Sequence, residues 1–456
     1  MARDTSDDRP IESRDDLVAW IAAGEKPAER WRLGTEHEKF PFRRADGAPV
    51  AYEGAAGIRA LLEGLGARTG WEPIFDGEAI IGLADDVGGG AISLEPGGQF
   101  ELSGAPVADV HATRVELDRH LADVAAIGDA LGLGFAGLGT SPKWTIAETP
   151  VMPKSRYRIM MNYMPKVGSR GLDMMFRTST VQVNLDFATE ADMVAELRVG
   201  LALQPIATAL FAASPFLDGK PTGFLSTRSA IWLDTDRDRT GMLPRAFAPD
   251  FGYASYVEWA LDVPMYFVKR GPTYHDVTGT TFRQFMAGAL KERLPGVVPE
   301  MGDWTNHLGT LFPEVRLKRY VEMRGADAGP RALIAALPAF WVGLLYDSEA
   351  RDAAARLIAD WTAGERQALR DAVPATALAT PFRDRTVREV AREVLAISRD
   401  GLKRRARLDA AGRDETVHLD VLDDIVASGV TVAERLLADF AANGGDAGKI
   451  LAAAEM

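Results

Sequence analysis

Apolar residues from Val110 to Leu131 and from Met193 to Leu210 recur at helical spacing, whereas Thr180-Val-Gln-Val-Asn-Leu-Asp-Phe187 alternates with a period of two. Amphipathic helices are therefore mixed with half-covered strands. A short helical pattern spans Ile11 to Ile21. The run Trp31 to Phe40 has strand character, a helix follows near Ala55 to Leu65, and Trp71 to Leu83 and Ala91 to Leu102 read as sheet around the sharp turn Gly88-Gly89-Gly90. Met174 to Phe187 and Val315 to Arg324 read as further strands. Beyond Gly329 the pattern is helical, over Ala332 to Tyr346, Glu349 to Leu369, Thr386 to Ala406 and Val417 to Ala441, with breaks expected at Pro374 and Pro381 and an end at Gly444-Gly445. Without a regular strand-helix-strand rhythm, an α+β fold with a mostly antiparallel sheet fits best. The expected organisation is a catalytic core over residues 1–330 and a helical segment over residues 331–456.

Parity along the strands gathers chemistry. Glu36 and Glu38 share a face, as do Gln99 and Glu101, with Glu95 just before them; Gln182, Asn184 and Asp186 share another. In Val315 to Arg324, read as one strand, Arg316, Lys318, Tyr320, Glu322 and Arg324 fall together. Each row alone is the wet side of a half-covered sheet. Together they gather several carboxylates and amides on one sheet, which suits Mg²⁺, a hard ion that binds a few carboxylates and bridges phosphates. The cations on the same face could neutralise phosphate and a substrate carboxylate.

Composition narrows the field. The 456 residues carry 52 Lys and Arg against 65 Asp and Glu, a net charge of -13 that disfavours nucleic acid partners. Hydrophobic residues make up 47%, enough for a sizeable core. The absence of cysteine excludes disulfides, thiolate metal sites and a cysteine nucleophile. Met1 to Asp16 is acidic and polar, without the basic and apolar stretches of a secretory signal, so the default compartment is the cytoplasm. The uncharged run Val199 to Leu217 reads as a buried helix and not a membrane span, being interrupted by Gln204, Pro205 and Pro215. Gly132-Leu-Gly-Phe-Ala-Gly137 fits a dinucleotide pattern but follows a helix and does not open one.

Four motifs are specific. Gly34-Thr-Glu-His-Glu-Lys-Phe40, Ser93-Leu-Glu-Pro-Gly-Gly-Gln-Phe-Glu-Leu-Ser-Gly-Ala-Pro106, Arg228-Ser-Ala-Ile-Trp-Leu-Asp-Thr-Asp-Arg-Asp-Arg-Thr-Gly241 and Val321-Glu-Met-Arg-Gly-Ala-Asp327 together resemble the glutamate-cysteine ligase family of plant and proteobacterial type. The resemblance implies a glutamine-synthetase-like carboxylate-amine ligase fold, whose curved antiparallel sheet forms a funnel for ATP, Mg²⁺ and glutamate. It implies ligation of the γ-carboxyl of L-glutamate to L-cysteine through an acyl phosphate, the first step of glutathione synthesis. The matching metal positions are Glu36, Glu38, Glu95, Glu101 and Glu322, with Gln99 beside them; Gln182, Asn184 and Lys318 are candidates for the nucleotide. Arg228, Arg316 and Arg324 are candidates for stabilising transferring charge, and Arg170, Arg177, Arg228 and Trp232 for holding glutamate. Met161 and Tyr163, in a methionine-rich run, either pack in the core or line the substrate pocket. The Asp234 to Arg239 run reads as a mobile active-site loop. Two other readings stay open: the same chemistry with a different amine acceptor, and a catalytically silent nucleotide- or metal-binding regulator. The oligomeric state is left undetermined by these motifs.

Overall fold

The computed structural model describes residues 6–456. Nine strands form one sheet, in the order of the hairpin strands Val315–Leu317 and Val321–Asp327, then β7 (Thr180–Leu185), β1 (Leu33–Arg43), β5 (Phe100–Ser103), β4 (Ala91–Leu94), β3 (Ala79–Ala84) and β2 (Glu72–Asp76). β6 (Leu133–Ala136) pairs with the far half of β1. Every neighbouring pair in it is antiparallel, as the alternation requires.

One face of the sheet is apolar. Val181, Val183 and Leu185 of β7 and Val315, Leu317 and Met323 of the hairpin join one buried cluster with the helices Glu190–Leu210 and Arg331–Leu345, so the hydrophobic parity of each strand is held against helix. Glu190–Leu210 is long and apolar enough to cross a membrane, but 89% of its most apolar window lies buried inside the fold, which makes it a core helix. Thr189 caps it by accepting from the Asp192 amide.

Several elements differ from the reading of the sequence. Val315 to Arg324 is a hairpin and not one strand: the chain turns at Lys318 to Tyr320, and Arg316 faces Glu322 across the ladder. The run from Met174 begins as the helix Gly171–Arg177 and becomes strand only at Thr180. Glu349 to Leu369 divides into Ser348–Leu357 and Ala363–Thr376, the second opened by a capping box between Thr362 and Glu365. Val417 to Ala441 divides as well, because Gly429 takes φ +73 and Thr431 caps a new helix. Pro374 sits inside a helix, and Asn443 caps the helix that precedes Gly444-Gly445. The Asp234 to Arg239 run is pinned: fully buried Arg239 donates to Asp236 Oδ2 at 2.6 Å and to the Thr310 carbonyl at 3.1 Å, and lies 3.8 Å from the Tyr266 ring centroid.

Candidate active site

The polar face of the sheet carries the chemistry. Register sets Glu38 opposite Glu101, Glu101 opposite Ser93, Glu36 opposite Gln182, Asn184 opposite Glu322 and Glu322 opposite Arg316. A continuous row of acids, amides and cations therefore crosses six strands. Like charges directly opposite destabilise a sheet, and Glu38 with Glu101 is such a pair.

The row floors a cavity lined by Glu36, Glu38, Glu95, Gln99, Glu101, Gln182, Arg228, Trp232, Arg316 and Arg324. Glu95 reaches it because the turn after it is built on glycines. Gly98 takes φ +85, and a Cβ on Gly97 would lie 2.4 Å from the Phe176 carbonyl oxygen. Burial, then repulsion from Glu101, raises the Glu95 pKa. Glu38 is raised well above the usual carboxylate range by burial and by the charges of Glu95 and Glu101, although its Oε2 accepts from the Thr180 amide at 3.0 Å. Burial also acts against ionisation of Glu101, while Ser93 and Ser103 hydroxyls donating at 2.6 and 2.7 Å act for it. Among the described residues no three such groups form a finished metal cage. Glu38, Glu95 and Glu101 are nonetheless crowded carboxylates of which a hard cation would relieve the repulsion, and in that sense they fit magnesium.

Glu322 stands differently from its expected place. Its fully buried carboxylate accepts from Arg316 at 2.7 and 2.9 Å, lies 3.2 Å from Lys318 Nζ and contacts Arg324. Burial would raise its pKa, but these three cations hold it well below the carboxylate range. It does not line the cavity; it anchors the two arginines that do. Arg324 and Gly325 lie within a shift in the ladder register between Met323 and Ala326, and Arg324 donates to Gln182 Oε1 at 2.5 Å. Lys318 is drawn to Glu322 and Tyr320, away from the cavity.

Two cavity-lining donors are left over. Arg228 Nε and Trp232 Nε1, from the helix Thr227–Trp232, are buried without a hydrogen-bond partner among the described residues. A buried unpaired donor costs about 1–3 kcal/mol, so this pair is suited to an acceptor from outside the chain. Gln99 is spent within the protein: its amide donates to the Met175 and Thr178 carbonyls at 3.2 and 2.8 Å and its Oε1 accepts from the Gly97 amide. Arg177 pairs with Asp173 and Asp218, and Arg170 with Asp173, so neither reaches the cavity. Of the methionine-rich run, Met160 lines the cavity together with Met174 and Met175, while Met161 packs against the neighbouring apolar cluster and Tyr163 meets Tyr266 edge to face. Tyr157, Arg156, Phe267 and Phe312 also line it and were not singled out in the sequence. Tyr157 and Arg156 come from the helix Ser155–Tyr163, and Phe267 and Phe312 from the first residues of short strands, Phe267–Arg270 and Phe312–Pro313, where no parity marks an inward side chain.

A second chamber, of about 1030 Å³, opens on the other side of Glu36 and is lined by Lys26, Arg30, Arg32, Asp85, Asp86, Gly89, Gly90, Asn184, Asp186 and Tyr320. Glu36 belongs to both chambers, and its Oε1 accepts from Asn184 Nδ2 at 2.9 Å.

An antiparallel sheet backed by helices, with acids, amides and guanidinium groups on its open face, defines the glutamine-synthetase-like carboxylate-amine ligase fold. In agreement, the structure superposes with a TM-score of 0.53 on a glutamate-cysteine ligase from Francisella tularensis solved in complex with AMP, at 12% identity over 94% of this chain and 88% of that one. The chain belongs to the glutamate-cysteine ligase family 2, whose model matches residues 32–454. It is 56% identical to the chloroplastic glutamate-cysteine ligase of Arabidopsis thaliana over 93% of this chain and 79% of that protein. To the chloroplastic glutamate-cysteine ligase B of Oryza sativa subsp. japonica it is 55% identical, over 93% and 83%. These names overturn the cytoplasmic expectation, because relatives this similar are plastid proteins. The polarity of Met1 to Asp16, of which residues 1–5 lie outside the described residues, does not decide a compartment.

Proposed function

We propose that this chain joins the γ-carboxyl of L-glutamate to the amine of L-cysteine with hydrolysis of ATP to ADP and phosphate, the first step of glutathione synthesis. The observation that carries the reading is the pair of unpartnered donors, Arg228 Nε and Trp232 Nε1, beside an acid-lined wall. They suit the α-carboxylate of glutamate at one end while the γ-carboxylate approaches the row of carboxylates and arginines.

A carboxylate is a poor electrophile. Its oxygen attacks the terminal phosphorus of ATP, the bond to ADP breaks, and the acyl phosphate so formed is attacked at carbon by the cysteine nitrogen; the nitrogen loses a proton and phosphate departs. The protein supplies no nucleophile, only orientation and charge. Arg316 and Arg324, anchored by Glu322, present fixed positive charge to the transferring group. Glu38, Glu95 and Glu101 are the residues that would hold magnesium, which when bound neutralises phosphate oxygens and acts as a Lewis acid. The second chamber, with Lys26, Arg30 and Arg32, suits the nucleotide phosphates, and Glu36 stands at the border with the amino acid chamber. Tyr157, Phe267, Met160, Met174 and Met175 make an apolar wall that excludes water from the acyl phosphate and suits a thiol side chain.

Phosphate release from ATP with magnesium tests the reading: it should require glutamate and cysteine together. Another amine outranking cysteine would move the chain to the related ligase with a different acceptor, and release with neither amino acid would end both readings.

A further inference from the structure

Asp327 ends the last of the four motifs and does not line the amino acid chamber. Its buried carboxylate is nevertheless the point to which the helix carrying Arg228 and Trp232 is tied. Oδ2 accepts from the Ala213 amide at 2.9 Å and from the Ser214 hydroxyl at 2.6 Å; Oδ1 accepts from the Ser226 hydroxyl at 2.8 Å. With both hydroxyl protons drawn to the carboxylate, the serine lone pairs face the helix. Ser214 Oγ then accepts from the Arg228 amide at 3.1 Å, and Ser226 Oγ caps the helix by accepting from the Ser229 amide at 3.2 Å. Room for the carboxylate comes from Gly139, where a Cβ would lie 2.5 Å from Asp327 Cγ. The strand end at Asp327, paired with Thr180 of β7, is thereby linked by two polarised hydroxyls to the helix that carries Arg228 Nε and Trp232 Nε1, buried side-chain donors without a partner among the described residues.

We infer that Asp327 is a positioning residue for the amino acid substrate: through Ser214 and Ser226 it fixes the direction in which Arg228 and Trp232 offer their hydrogen bonds. The inference rests on the reading of that chamber as the glutamate site. The two serines donate to different oxygens of Asp327, and an amide keeps only one of them as acceptor, so one relay is lost in Asp327→Asn, and a displaced donor pair weakens the grip on glutamate while the nucleotide chamber is untouched.

Steady-state kinetics on the full chain tests this, with Asp327→Asn, Ser214→Ala and Ser226→Ala compared with the parent. Asp327→Asn should raise the KM for glutamate about tenfold, and each serine variant about threefold, the loss of one hydrogen bond's net worth. The KM for ATP and kcat at saturating glutamate should stay within about twofold of the parent, a split that general loosening of the fold would not produce. Should Asp327→Asn fail to fold, the serine variants decide alone. Unchanged glutamate KM in both serine variants, or equal rises for glutamate and ATP, overturns the inference. If the parent itself releases no phosphate in response to glutamate, the reading of the chamber fails instead.

Discussion

Beneath the acid row, on the other face of β1, the ammonium of fully buried Lys39 donates to the Phe100 carbonyl at 3.1 Å. Burial, opposed by the charges of Glu101 and Glu38, brings its pKa down to about 7. A lysine in the unfolded chain holds its proton to about pH 10.4. Between those values the unfolded state binds more protons, so folding stability rises with pH through that window and the cost of the buried charge is fully present below it. Lys39→Met should flatten that rise, read as the pH dependence of the denaturation midpoint from pH 7 to 10; an unchanged slope would mean that Lys39 does not titrate there. Glu38 makes the opposite case. Its folded pKa is raised, so its ionisation costs stability that was present at low pH and is lost as pH climbs through the folded value. In metal-free protein at pH 8, Glu38→Gln should raise Tm, by roughly 1 °C for each kcal/mol of relief, the scale that an unfolding entropy of about 2.1 cal/mol/K per residue sets for a chain of 456 residues. With magnesium added, the gain should disappear or reverse, because the parent then acquires a ligand-linked increment that the variant lacks. Turnover should fall sharply.

At the level of the elements, the hairpin Val315–Leu317 and Val321–Asp327 behaves as one charged unit. Glu322→Gln would leave Arg316, Lys318 and Arg324 together without a counterion in a buried site, a change of the kind that costs about 3–5 kcal/mol. Urea denaturation should register that loss, in contrast to Glu38→Gln, although both remove one carboxylate from the same row. This distinction was hidden in the sequence. Alternation told which side chains share a face, and it located Glu36, Glu38, Gln99, Glu101 and Gln182 because strands expose parity directly. It did not tell that the chain reverses at Lys318 to Tyr320, which sets Arg316 across the ladder from Glu322; the resemblance placed Glu322 among the metal positions, whereas in the structure its carboxylate accepts from Arg316. Arg170, just before the short helix Gly171–Arg177, and Arg177 at its end are both paired with Asp173, and Arg177 also with the more distant Asp218, pairings that strand parity does not reveal. Helix extents were legible from Val110–Leu131 and Arg331–Leu345, whose periodicity is unbroken. The divisions at Thr362 and Gly429 depend on local capping, which a long apolar repeat conceals.

Across the whole molecule, two chambers meet at Glu36; Lys26, Arg30 and Arg32 of the second precede β1, whereas Arg228, Trp232 and Phe312 of the first follow β7. Lys26 and Arg30 lie outside the strand-like run Trp31 to Phe40, and Arg32, at its edge, belongs to no row of alternating polar positions. If the nucleotide occupies their chamber, Arg30→Ala with Arg32→Ala should raise the KM for ATP about tenfold and leave that for glutamate within about twofold, while Arg228→Ala should do the reverse. Equal effects of both changes on both substrates would remove the division of labour. The four motifs that carry the family resemblance surround these chambers from Gly34 to Asp327. The helices after residue 330 support them from behind by closing the apolar face of β7.

The bare Cα of Gly139 sets a constraint on how such a chain can diverge. Because a methyl group there would lie 2.5 Å from Cγ and 2.6 Å from Cβ of Asp327, whose carboxylate is already fixed by three donors, position 139 cannot gain a side chain while Asp327 stays in place. Descendants that place alanine at 139 must also move the backbone at 327, since the added methyl group meets the Cβ of that residue as well as its carboxylate, and lineages that keep the acid in place are confined to glycine opposite it.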